Sequence, residues 1–234
     1  MSPKRELKRL LQHLRLKWRW KRVQKVTAIG PDNEYGLERC DIVYINLDHR
    51  TDRRERIEQE FVKIGVINAN RFAAHKHQRG AIGCAMSHRD VLSSYVVEQH
   101  RLLMVCEDDL EFTVDRERLD HLIEHFYQDN RMDVLCLAYN RRNGIQVDPN
   151  FLISSSTRTT ACYLVKPRAI KSIEACARTS IDLLEQGLPD KVAAIDVVWE
   201  KSQNDFIFAL SYPRAAIQSS SYSDILGREV DYKL

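Results

Sequence analysis

No run in this 234-residue sequence approaches the roughly 20 apolar residues that a membrane-spanning helix requires. A secretory leader is not expected either, because basic residues interrupt the N-terminal stretch and no apolar segment follows them. The six cysteines (Cys40, Cys84, Cys106, Cys136, Cys162 and Cys176) stand singly, without a CxxC pair. Neither a disulfide framework nor a structural zinc site is therefore expected. Cys106, Cys136 and Cys162 fall in apolar runs, where cysteine serves as a small hydrophobe, and free thiols fit a reducing, cytoplasmic compartment. No internal repeat is visible, which removes solenoids and propellers.

What is present is an ordinary globular composition, 44% hydrophobic and 29% charged. Its charge is unevenly placed. Residues 1–26 carry ten basic side chains against one acid, Glu6, and contribute +9 to a chain whose net charge is +3, so the rest carries −6. A basic amphipathic helix is expected over 1–26, with Leu7, Leu10, Leu11, Leu14 and Trp18 on one stripe. That pattern suits an anionic membrane surface or a packing partner. Gly30, Pro31, Asp32, Asn33 and Gly36 mark 27–40 as a linker, and the folded body is expected over 41–234. The acidic body continues no basic path, so nucleic acid is not an expected partner.

Within the body, strand-like and helix-like patterns alternate. Strands are expected at 42–47, 102–106, 133–139, 159–165 and 206–210, and helices at 52–64, 87–99 and 119–127, with another opening at Pro167. Gly80-Ala81-Ile82-Gly83 reads as a turn before the second helix, and the serine-rich end as loop. The order implies an α/β layer structure with a mainly parallel central sheet flanked by helices. Ligands of such sheets bind beyond the carboxyl ends of the strands.

Two polar clusters occupy such ends. Glu107-Asp108-Asp109 follows an apolar strand directly. Three adjacent carboxylates repel one another. Bound Mg²⁺ or Mn²⁺ would remove that repulsion, and the bland alternative is a solvated acidic turn. Asn46 to Arg54 follows the first strand, where Arg50, Arg53 and Arg54 suit phosphate oxygens. Its alternative is a helix capped by Thr51 or Asp52 with a charged outer face. His75, His77 and His88 read as structural donors. Asp196, in Ala194-Ile195-Asp196-Val197-Val198-Trp199, is an acid among apolar residues, and such an acid needs a partner, a cap or a function.

Taken in order, these segments resemble glycosyltransferase family 25, which includes lipooligosaccharide and procollagen galactosyltransferases. Ile45-Asn46-Leu47-Asp48 with Thr51-Asp52-Arg53-Arg54 is similar to the family's opening motif. Arg71-Phe72-Ala73-Ala74, Gly80 to His88 and Val105 to Asp109 follow in the family's order. Thr160 to Val165, Ile195-Asp196 and Ser221-Tyr222-Ser223-Asp224-Ile225 complete a set covering about 41–226. The stretch from Ala74 to Gly80 is shorter than usual in the family, and no proline stands beside Asp196.

The resemblance implies a GT-A-type nucleotide-sugar-binding fold, a UDP-sugar donor (most often galactose), Mn²⁺ and inversion at the anomeric carbon. It assigns Glu107, Asp108 and Asp109 to the metal, and Asn46, Leu47, Arg50, Asp52 and Arg53 to the donor. Asp196 is the matched acid available as the base that deprotonates the hydroxyl of a glycan or glycoconjugate acceptor, or else as a contact that binds the acceptor. Two rivals remain: a non-catalytic binding module of the same fold, and a metal-dependent phosphoester hydrolase. The second would want another acid or histidine cluster for a two-metal site.

Overall fold

Hydrophobic periodicity translates into an alternating chain of helices and strands. The computed structural model describes residues 3–27, 34–96, 98, 101–141, 144–219, 221–223 and 228–230. In chain order these form α1 (Pro3–Arg22), β1 (Cys40–Asn46), α2 (Thr51–Lys63), β2 (Asn70–Ala73), α3 (Gly80–Ser94), β3 (Leu102–Glu107), β4 (Leu110–Phe112) and α4 (Arg116–Gln128). There follow β5 (Val134–Arg141), β6 (Ile145–Gln146), β7 (Phe151–Ser154), β8 (Thr157–Val165), α5 (Pro167–Glu185), α6 (Asp190–Ala193), α7 (Ile195–Val198) and β9 (Phe208–Ser211). β10 (Ala216–Gln218), β11 (Ser221–Ser223) and β12 (Arg228–Val230) close the chain.

The central sheet has eight strands in the order β2-β1-β3-β8-β5-β9-β7-β6. Pairing leaves six strands running one way, with β8 and β7 reversed. The sheet is thus mainly parallel in direction, as expected. β3 is buried on both faces. Leu102, Met104 and Cys106 join the core under α2 and α4, while Leu103 and Val105 join the one under α3 and α5. On that second side Trp199 is fully buried, edge-on to Tyr163 and Phe208.

Several local expectations are revised. The 80–83 stretch is the first turn of α3, which ends at Ser94. A Cβ at Gly83 would collide with the His75 carbonyl, so the glycine lets the helix seat against the 74–77 segment. α2 begins at Thr51 with Arg50 at the N-cap position and no side-chain cap, so neither Thr51 nor Asp52 plays that role. Ordered structure starts before 41: Gly36–Arg39 is a 3-10 turn, held where Arg39 meets Glu124 at 2.8 Å. The tail adds β10, paired with β4, and an antiparallel β11–β12 pair in place of loop. Asp224 and Ile225 lie outside the described residues.

The basic helix is present and touches the body. Leu16 is 2% exposed and packs with Ile153 and Ile207. Arg131 stacks 3.7 Å from the Trp20 ring centre, and Arg19 donates to the Gln203 carbonyl at 3.1 Å. Thr27 then bridges to Asp129.

Candidate active site

Parallel pairing of β1 with β3 sets Ile45 opposite Glu107, which brings the two polar strand exits side by side. Asn46, 1% exposed, donates from Nδ2 to Asp108 Oδ2 at 2.8 Å and to the Arg50 carbonyl at 3.0 Å. Arg71 on β2 donates to Asn46 Oδ1 at 3.0 Å and pairs with Asp48 at 2.6 Å. Arg53, one turn into α2, reaches Asp108 Oδ1 at 2.8 Å and Asp109 Oδ2 at 3.3 Å. Both Asp108 oxygens are therefore held by protein donors.

Glu107 is gripped from the other side. Thr160 on β8 donates its hydroxyl to Oε1 at 2.6 Å, and His88 Nε2 lies 3.3 Å from the same oxygen. A carboxylate only accepts, so Nε2 carries the proton and Nδ1 accepts from the Tyr163 hydroxyl at 3.1 Å. Burial works against the charge on Glu107, yet the hydrogen bonds from His88 and Thr160 hold its pKa below the ordinary value.

Asp109 is in the opposite condition. Burial first, and then the Glu107 charge, push it up to about 7. Gln218 donates to Oδ2 at 3.3 Å, but Oδ1 is buried without a hydrogen-bond partner. A buried orphan carboxylate oxygen is expensive, and a hard cation would satisfy it. Glu107 and Asp109 would be the residues to hold such an ion, while Asp108, bonded at both oxygens, braces Arg53. Among the described residues, Cys84, His88 and Glu107 also bring their ligand atoms within 4.8 Å of one another. That set shares Glu107 and adds softer donors from α3.

The three acids floor a cleft of about 320 Å³, walled by Leu47, His49, Arg53, Lys76, Gly83 and Gln218 among others. Of the residues expected at the donor, Leu47 and Arg53 line this cleft. Asn46 braces Asp108 beneath it, and Arg50 pairs with Asp52 at 2.8 Å outside the lining. The Arg50 hydrogen bond holds Asp52 down at about 2.

Asp196 opens α7 in the layer behind β8, where its Oδ2 accepts from the Thr159 N–H at 3.4 Å. Burial raises its pKa. Burial, and then the charges of Glu107, Asp196 and Asp109, push the Cys84 thiol on α3 well up. Thr159 has φ 77°, a conformation that costs a β-branched residue roughly 1–3 kcal/mol. It donates its N–H to Asp196 and its hydroxyl to Gln218, which in turn holds Asp109. Gln218 carried no sequence signal, Thr160 carried only its place in the resemblance, and His88 read as a structural donor.

No family model and no curated protein matches the sequence. Among the solved structures similar at a distance are two transferases. One is a glycosyltransferase involved in glycosylation of the major capsid of PBCV-1, with 9% identity and TM-score 0.46 over 78% of this chain and 94% of that one. The other is the inositol-1-phosphate CTP transferase from T. maritima, with 12% identity and TM-score 0.34 over 82% and 71%.

Proposed function

We propose that this chain is a divalent-metal-dependent, inverting glycosyltransferase of GT-A type. It moves a hexose, galactose being the first to test, from a UDP-sugar to a glycan or glycoconjugate hydroxyl. The observation that carries this reading is Asp109 Oδ1, buried without a partner beside a second carboxylate at adjoining parallel strand ends. Glu107 and Asp109 would hold Mn²⁺ or Mg²⁺, and the ion would supply positive charge for the leaving diphosphate. Arg53 offsets the charge of Asp108 and Asp109 and fixes their orientation. Lys76 and His49 in the cleft wall add positive or donor character toward a phosphate. Asp196 takes the acceptor proton, and its raised pKa makes it a better base than an ordinary carboxylate.

The test is Mn²⁺-dependent hydrolysis across a panel of UDP-sugars, with the Asp109→Asn variant as control. The parent should release UDP slowly, without an acceptor and only with metal. The variant should stay folded, lose turnover and weaken Mn²⁺-dependent UDP binding. Parent-like turnover by Asp109→Asn would remove the metal assignment. UDP binding by the parent without hydrolysis or transfer would favour the non-catalytic module.

A further inference from the structure

The stripe on α1 stays uncovered. Leu7, Leu10, Leu11, Leu14 and Trp18 are each between 52% and 57% exposed. At about 100° per residue they share an arc of about 100°, and Leu16 falls on the opposite side. The same helix thus has two apolar faces with different fates: Leu16 and Trp20 dock on the body, and the Leu/Trp stripe points away from it.

The stripe is about 17 Å long at 1.5 Å per residue, and exposed Arg15, Lys17, Lys21 and Arg22 flank it on both sides. Arg22 lies over the Trp18 ring, 4.8 Å from its centre, which sets a charge against the aromatic face. Glu6 is the only acid in the helix. No helix among the described residues is long and apolar enough to cross a membrane.

We propose that α1 lies in the interface of an anionic lipid bilayer, with its Leu/Trp stripe in the acyl boundary and its basic flanks on the headgroups. An exposed row of leucines ending in tryptophan, bordered by Lys and Arg, matches that environment in chemistry and charge. The partner must be negative. A second copy of the same face would bring basic flanks against basic flanks, which disfavours self-pairing. The body, at net −6 outside residues 1–26, gains nothing from an anionic surface, so attachment is confined to the helix and leaves the body free. This surface is independent of the glycosyltransferase reading, and its test does not use activity.

The experiment is co-sedimentation of the full chain with vesicles of phosphatidylglycerol and phosphatidylcholine in equal parts, against phosphatidylcholine alone. The parent should bind the anionic vesicles, with affinity falling as salt is raised, and bind the neutral ones weakly. Leu11→Glu with Leu14→Glu changes only exposed positions, so the unfolding midpoint should hold while vesicle affinity falls about 100-fold or more. Lys17→Gln with Lys21→Gln should lower affinity for the anionic vesicles by roughly tenfold and leave the neutral ones unchanged. Absence of parent binding, or binding indifferent to the Leu→Glu pair, overturns the proposal. So does a concentration-dependent dimer that the Leu→Glu pair dissolves, which would make the stripe a contact between copies.

Discussion

At the scale of single residues, two buried ionisable groups make opposite demands on pH. Asp196 is held up by burial, so the acid limb of the pH–rate profile should lie above that of an ordinary aspartate. Replacing it by Asn removes the base while keeping the Thr159 N–H partner. Transfer should fall by about 10²–10⁴-fold with UDP-sugar affinity little changed. A variant with normal turnover at saturation and lost donor affinity would make Asp196 a binding residue instead. Lys166 is the other case. Burial pulls it down to about 7, although its Nζ donates to the Asp129 carbonyl at 2.7 Å. Unfolding restores the ordinary value near 10.5, so the unfolded chain binds the extra proton between those limits. The fold therefore bears the full penalty below about pH 7 and sheds it as pH rises toward 10. Lys166→Met should raise the unfolding free energy at neutral pH and flatten that alkaline gain, since the Asp129 carbonyl keeps the Met132 N–H. A pH-stability curve like the parent's would show that the amine finds compensation elsewhere.

Among the elements, α3 is the one whose start the sequence pattern misplaces, and the error is instructive. Two glycines three apart read as a turn, since glycine loses more freedom in a helix than alanine does. Here the absence of a side chain at Gly83 serves packing, because the helix lies against the His75 carbonyl. The His75 N–H donates to Ser87 Oγ at 2.9 Å and its ring meets Asp90 at 2.7 Å, which stitches the loop to the helix. Gly83→Ala would gain up to about 1 kcal/mol of helix propensity. Against that stands overpacking of about 1–3 kcal/mol, with little give because the obstacle is backbone. Thermal unfolding should show net destabilisation. Donor affinity should weaken too, because His75, Lys76 and His77 line the cleft. A stabilised variant would mean that the loop shifts freely.

For the whole molecule, α1 is both an appendage by charge and a part of the fold by packing. Burying a leucine contributes about 1.5–3 kcal/mol, and Leu16 covers Ile153 and Ile207 at the far end of the sheet. Removing residues 1–27 also deletes the Trp20–Arg131 stack and the Thr27–Asp129 bridge. The truncated chain should lose roughly 5–10 °C in its unfolding midpoint. An unchanged midpoint would show that the helix rests on the body without stabilising it. This is why the lipid experiment above substitutes exposed residues and leaves the chain whole.

The sequence alone determines most of the longer elements and the face each one buries. The strict alternation and apolar runs of β1, β3, β5 and β8 are local signals, as are the helical repeats of α2, α4 and α5. The acidic triplet at a strand exit is local as well, and so is the Leu/Trp stripe of α1. What meets what across the sheet is not local, and only the tertiary structure decides it. β8 inserts antiparallel between β3 and β5, and that order alone carries Thr160 to Glu107 and Thr159 to Asp196. The β4–β10 pairing carries Gln218 to Asp109. Arg53, which suits a phosphate by its chemistry, turns to two carboxylates because parallel β1 and β3 set them beside α2. Periodicity along a chain records which side of each element meets the core. Strand order is a property of the assembled sheet, and it selects which polar ends share one cleft.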